Sequence, residues 1–89
     1  MNMKIEKAIV RVGTGNRFTI PERLFDALYE NGSFKCLCYL VLNAYNHRVF
    51  WHNPVEFRRV SMPEFHEGDI LEITYNPAEG QFFDLVRIG

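Results

Sequence analysis

A mainly β fold with one short α-helix, closed as a small β-barrel, is the architecture this chain predicts. Three observations point to it. Short stretches of alternating polar and apolar residues recur at 17–20 and 70–75. Clusters of Gly, Asn and Pro punctuate them at 13–16, 53–54, 61–63 and 76–80. Helical spacing of apolar residues occurs at one place, Leu24, Phe25 and Leu28. At 89 residues the chain suits one domain, near the lower end of what folds alone.

The elements follow in order. Lys4 to Val12 reads as a strand, with a phase irregularity at Ala8-Ile9-Val10 that predicts a bulge or burial on both faces. Gly13, Gly15 and Asn16 take positive φ at low cost, so GTGN reads as a turn. Arg17-Phe18-Thr19-Ile20 then returns as the second strand of a first hairpin. Pro21 ends that ladder and suits a helix start. Thr19 and Glu22 have capping-box spacing, and Asn31-Gly32 supplies the helix stop.

Residues 33–63 read as additional strands. Phe34 to Leu42 is too apolar for an exposed strand, Asn46-His47 marks a turn, and Arg48 to Trp51 returns. Val55 to Val60 reads as a short strand or an irregular connection. Gly68-Asp69 then opens a second hairpin. Ile70, Leu71, Ile73 and Tyr75 form its first strand, with Glu72 outward. Phe82 to Ile88 forms the last, with Phe83 and Leu85 on one face and Phe82, Asp84, Val86 and Ile88 on the other.

Composition narrows the function classes. No apolar run approaches the about 18 residues of a membrane span, and the N-terminus has no signal-peptide core, so a cytoplasmic location is expected. Cys36 and Cys38 point to one face of a strand. They read either as small buried residues or as a redox or metal pair completed by His47, His52 or His66. Neither pairing nor spacing favours a metal, and no cofactor is expected. No Ser-His-Asp grouping, phosphate loop or dinucleotide fingerprint is legible, so an enzyme is not expected.

The formal net charge is −1, but it is unevenly spread. Residues 1–25 hold five basic and two acidic side chains, residues 26–62 hold four and three, and residues 63–89 hold one and six. A basic N-terminal part beside an acidic C-terminal part lets one face meet an anion. Lys7, Arg11, Arg17 and Arg23 on the first hairpin and helix start are the candidate DNA contacts. Equally, such charges can be ordinary solvated ones. Phe50, Trp51 and Phe57 interleave with Arg48, Arg58 and Arg59. That pattern fits single-stranded nucleic acid, core packing or a protein interface, for which Phe50, Trp51, Arg58 and Arg59 are the candidates.

The run IVRVGTGNRFTIPERL resembles the N-terminal hairpin and helix of the AbrB/SpoVT/MazE family of DNA-binding proteins. Gly15-Asn16-Arg17-Phe18-Thr19-Ile20-Pro21 carries the likeness, and HEGDILEITYN with QFFDLVRI is similar to the family's second hairpin. The likeness covers 4–31 and 65–88, and 33–63 reads either as an inserted hairpin or as strands that a partner chain would otherwise supply. It implies a swapped-hairpin homodimer sharing one barrel, with Arg11 and Arg17 at DNA-contact positions and Arg23 near the family's basic helix start. Phe25 and Asp26 replace residues often basic there, which lowers the expected affinity. The resemblance implies a transcriptional regulator that binds duplex DNA while its acidic second hairpin faces away. The alternative is a protein-interaction module, as an antitoxin of the MazE type binds its toxin.

Overall fold

The structure, a computed structural model, describes residues 4–31, 40–45, 47–51 and 59–89. The chain runs β1 (Glu6–Arg11), a 3-10 turn (Thr14–Asn16), β2 (Arg17–Thr19), α1 (Glu22–Asn31), β3 (Leu40–Ala44), β4 (His47–Trp51), β5 (Arg59–Ser61), β6 (Ile70–Tyr75) and β7 (Phe83–Arg87). The fold is therefore mainly β with one helix. Cys36, Cys38, His52, Phe57 and Arg58 lie outside the described residues.

The strands form two separate sheets. One has five strands in the order β1-β6-β7-β3-β4, and the other pairs β2 with β5. Among the described residues the larger sheet ends on β1 and β4, which do not pair with each other, so no barrel closes. The expected first hairpin is also absent. β1 pairs antiparallel with β6, from Glu6↔Tyr75 to Arg11↔Ile70, and β2 pairs with β5. Across the glycine turn a single Gly13↔Arg17 bridge remains. Six consecutive pairs between β1 and β6 leave no bulge. Ala8 is buried and Ile9 exposed, so the apparent irregularity is an outward-facing isoleucine.

The second hairpin forms as expected, with Leu71↔Arg87 through Tyr75↔Phe83 in register. Within 33–63, Phe34 to Tyr39 of the expected strand lie outside the described residues, and a hairpin forms, β3 on β4 from Leu40↔Trp51 to Ala44↔His47. Its attachment was not anticipated: β3 runs parallel to β7, Leu42↔Phe83 through Ala44↔Leu85. A parallel neighbour needs a long crossover, and the whole segment between β3 and β7 supplies it.

The turn residues behave as their chemistry requires. Gly15 has φ 77 and Asn16 φ 59, both in the left-handed region. The capping box does not form. The helix begins at Glu22, so Glu22 is not its third residue, and Thr19 is committed to β2 opposite Arg59. The Leu24 amide instead donates to the Pro21 carbonyl at 3.1 Å.

The core lies between the inner face of the large sheet and the layer of α1 with the β2–β5 ribbon. Ala8, Leu42, Ala44, Leu71, Ile73, Tyr75, Phe83 and Leu85 line it from the sheet. Phe18, Ile20, Leu24, Phe25, Leu28, Val60, Met62 and Phe65 line it from the other layer. Edge-to-face contacts order the core: Phe25 on Phe83 at 5.5 Å joins the two layers, while Tyr75 on Phe83 at 6.0 Å lies within the sheet and Phe18 on Phe65 at 6.0 Å within the other layer.

Candidate nucleic-acid interface

The basic residues separate into three places. Lys7 and Arg11 alternate with Ala8 and Val10 along β1, so both point away from the core. Lys7 Nζ stands 3.8 Å from Glu72 Oε1 on the neighbouring strand. The acidic strand thus does not face away from the basic one. The two are paired directly, because Glu72 sits opposite Ile9.

Arg23 is held by backbone. Its Nη1 and Nη2 donate to the carbonyl oxygen of Lys7 at 3.0 and 2.6 Å. The first turn of α1 packs near β1, and the side chain reaches across to the edge of that strand that is unpaired among the described residues. Its guanidinium is therefore occupied in caulking an edge strand.

Arg17 stands elsewhere, on the two-stranded ribbon. The register is Arg17↔Ser61, Phe18↔Val60 and Thr19↔Arg59. Phe18 and Val60 are buried, which turns Arg17, Thr19, Arg59 and Ser61 outward together. Arg17 and Arg59 are diagonal neighbours, about 7–8 Å apart at Cα in such a ladder. Two guanidinium groups and two hydroxyls share this face, and the ribbon's six residues include no carboxylate.

The turn before the ribbon is fastened to the opposite end of the sequence. Asn16 Oδ1 accepts from the Glu67 amide at 2.9 Å, and Gly68 N donates to the Val12 carbonyl at 2.8 Å. Asp69 Oδ2 accepts from the His66 amide at 2.9 Å. The Gly-Asp pair thereby positions the glycine turn that delivers Arg17. Gly68 meets this demand with φ 94.

The candidate protein-contact residues also separate. Phe50 and Trp51 belong to β4, in register with Val41 and Leu40 at the edge of the large sheet. Arg59 belongs to the other sheet. Arg48 lies over the Phe82 ring at 5.0 Å, a cation–π contact. His47 Nδ1 pairs with the Glu64 carboxylate, tying β4 to the β5–β6 connection. Among the described residues no three His, Cys, Asp or Glu side chains are grouped to hold a metal ion. No helix among them is long and apolar enough to cross a membrane.

Sequence reasoning found Arg17 but not its neighbour on the ribbon. Arg59 was placed with the aromatic stretch because 55–60 carries no clear strand signal, and a pairing across about forty residues leaves no local mark.

No protein-family model matches this chain, and no curated protein or solved structure matches it.

Proposed function

We propose that this chain is a DNA-binding transcriptional regulator of the cytoplasm that contacts duplex DNA and acts by occupancy, without catalysis. The observation that carries the reading is the β2–β5 ribbon, with Arg17, Arg59, Thr19 and Ser61 on one exposed face. Arginines neutralise phosphates and read guanine edges with a planar fork. Hydroxyls donate to phosphate oxygens. A two-stranded ribbon also has the width to enter a major groove.

The motif resemblance supports the same reading through Arg17. Lys7 and Arg11 take a lesser part and Arg23 none, because Lys7 is beside Glu72 and the Arg23 guanidinium is on the Lys7 carbonyl. Arg11 remains exposed on β1 as an auxiliary phosphate contact.

The test is a duplex titration by fluorescence anisotropy at two salt concentrations. Binding that weakens steeply with salt and is reduced by Arg17→Ala and by Arg59→Ala is the expected result. Absence of binding at low salt, or binding that ignores both substitutions, would refute the proposal. Capture of a protein partner that Trp51→Ala abolishes, in a chain indifferent to DNA, would assign a protein-interaction role instead.

A further inference from the structure

The outward face of the β2–β5 ribbon sets one hydroxyl beside two guanidinium groups. Ser61, the last residue of β5, is exposed and stands directly opposite Arg17. Residues so placed in an antiparallel pair have Cβ atoms about 4.5–5.5 Å apart. Arg59 lies two residues back on the same strand, so it shares that face, while Val60 between them points into the core. Among the described residues the ion pairs join Lys7 to Glu72, His47 to Glu64 and Arg87 to Asp69, and none holds Arg17 or Arg59. Two cations therefore flank one alcohol, with no carboxylate of the ribbon to answer them.

The run that leads to Ser61 has a second property. It reads Arg58-Arg59-Val60-Ser61, with arginines three and two positions before the serine. Kinases that choose substrates by charge meet such arginines with acidic pockets at a fixed distance from the acceptor. Thr19, the other hydroxyl of the face, has one arginine, Arg17, two positions before it and Asn16 at three. Ser61 thus combines the local charge pattern of a phosphate acceptor with a fold that holds a third arginine across from it.

We propose that Ser61 is a phosphorylation site for an arginine-directed serine kinase, and that its phosphate closes the ribbon to DNA. In the transfer, Ser61 Oγ forms a bond to the γ-phosphorus of ATP. The bond from that phosphorus to the β–γ bridging oxygen breaks, ADP leaves, and the hydroxyl proton passes to the kinase's base. The product carries about −1.5 to −2 charge and three acceptor oxygens. Opposite Arg17 and beside Arg59, it accepts charge-assisted hydrogen bonds from both and offsets their two positive charges. Both guanidinium groups are then engaged within the chain, and the new phosphate repels those of a duplex. The modification and its pairing follow from the ribbon's geometry. The effect on duplex binding rests on the DNA-binding reading above.

The test treats the folded full chain with a purified arginine-directed serine kinase and Mg·ATP and maps the product by mass spectrometry. One phosphate on Ser61 is expected, lost in Ser61→Ala and reduced several-fold in Arg58→Ala. Arg17→Ala should be phosphorylated as wild type is, because Arg17 is absent from the local run. Phosphate should raise Tm by about 4 °C or more in wild type, and by no more than about half of that in Arg17→Ala. Duplex binding at low salt, read by anisotropy, should weaken about tenfold or more. Phosphoserine placed at 61 during translation repeats both measurements without the kinase. A folded chain that takes no phosphate, or takes it elsewhere, would overturn the proposal. So would a Tm gain indifferent to Arg17, or duplex binding that phosphorylation leaves unchanged. If the unmodified chain ignores duplex while the Arg17-dependent gain is present, the DNA-binding reading falls and the phosphorylation site stands.

Discussion

Arg23 donates two hydrogen bonds from its guanidinium to one acceptor, the carbonyl oxygen of Lys7, at 3.0 and 2.6 Å. Sixteen residues separate the two positions in sequence. The contact joins the first turn of the helix to the open edge of β1. It turns a candidate DNA contact into a support for the strand.

Arg23→Ala should therefore act on the strand. The amides of Ala8 and Val10 point toward β6, in phase with the Val12 amide that donates to Asp69 O. They should exchange with solvent several-fold faster, consistent with a loss of about 1 kcal/mol for an exposed hydrogen-bonded contact. Hydrogen exchange by NMR checks this. The salt dependence of DNA binding should stay unchanged in the same variant, since no phosphate contact is removed.

Arg17→Ala and Arg59→Ala should each reduce the slope of log K against log salt by about 0.9 per DNA-bound copy. The double variant should reduce it by about twice that, because the two side chains occupy separate positions of one ladder. Anisotropy titrations over a salt series measure the slopes. Equal slopes for wild type and double variant would remove the ribbon from the interface.

Phe83 is fully buried between Phe25 and Tyr75, with both rings edge-on to it. It sits on the strand that joins the β6 hairpin to β3. Phe83→Ala should cost about 3–5 kcal/mol, enough to unfold much of a chain this small. Urea denaturation followed by circular dichroism reads the loss. Val86→Ala on the next residue but two faces outward and should cost the isolated chain far less.

Burial holds the Tyr75 phenol above its ordinary 10.0, against the opposing effect of the hydrogen bond from Gln81 Nε2 at 3.0 Å. The folded chain therefore keeps this proton more tightly than the unfolded chain. Its contribution is complete below about pH 10 and is lost as pH rises from there through the raised folded value. Thermal melts across pH 8.5–11 (about the range of tyrosine titration) should show stability falling at the alkaline end. Tyr75→Phe should flatten that fall, and a slope unchanged by the substitution would contradict it.

Much of this architecture is legible in the sequence. Period-two alternation located β2, β6 and β7, because a strand with one buried face must alternate. Gly15 and Asn16 announced a turn because few residues accept positive φ. Leu24, Phe25 and Leu28 announced α1, whose inner face they form. What the alternation reports is which side of a strand is buried. It does not report which strand lies beside it.

Partnership was decided by the tertiary structure. Glycine-turn chemistry suggested that Arg17–Thr19 would fold back on β1, yet β1 lies on β6 and β2 lies on β5. The reason is burial. Ala8 and Val12 complete the apolar face of Leu71 and Ile73, while Phe18 pairs with Val60 and packs on Phe65 in the opposite layer. The same choice opened the expected barrel and brought Arg59 beside Arg17. It also put Arg23 on the Lys7 carbonyl and left Ile9 and Val86 facing outward in one row. By itself the sequence determined the elements, their buried faces and the arginine in the turn. The neighbours of each strand were decided by which faces, tens of residues apart, bury the most apolar surface together.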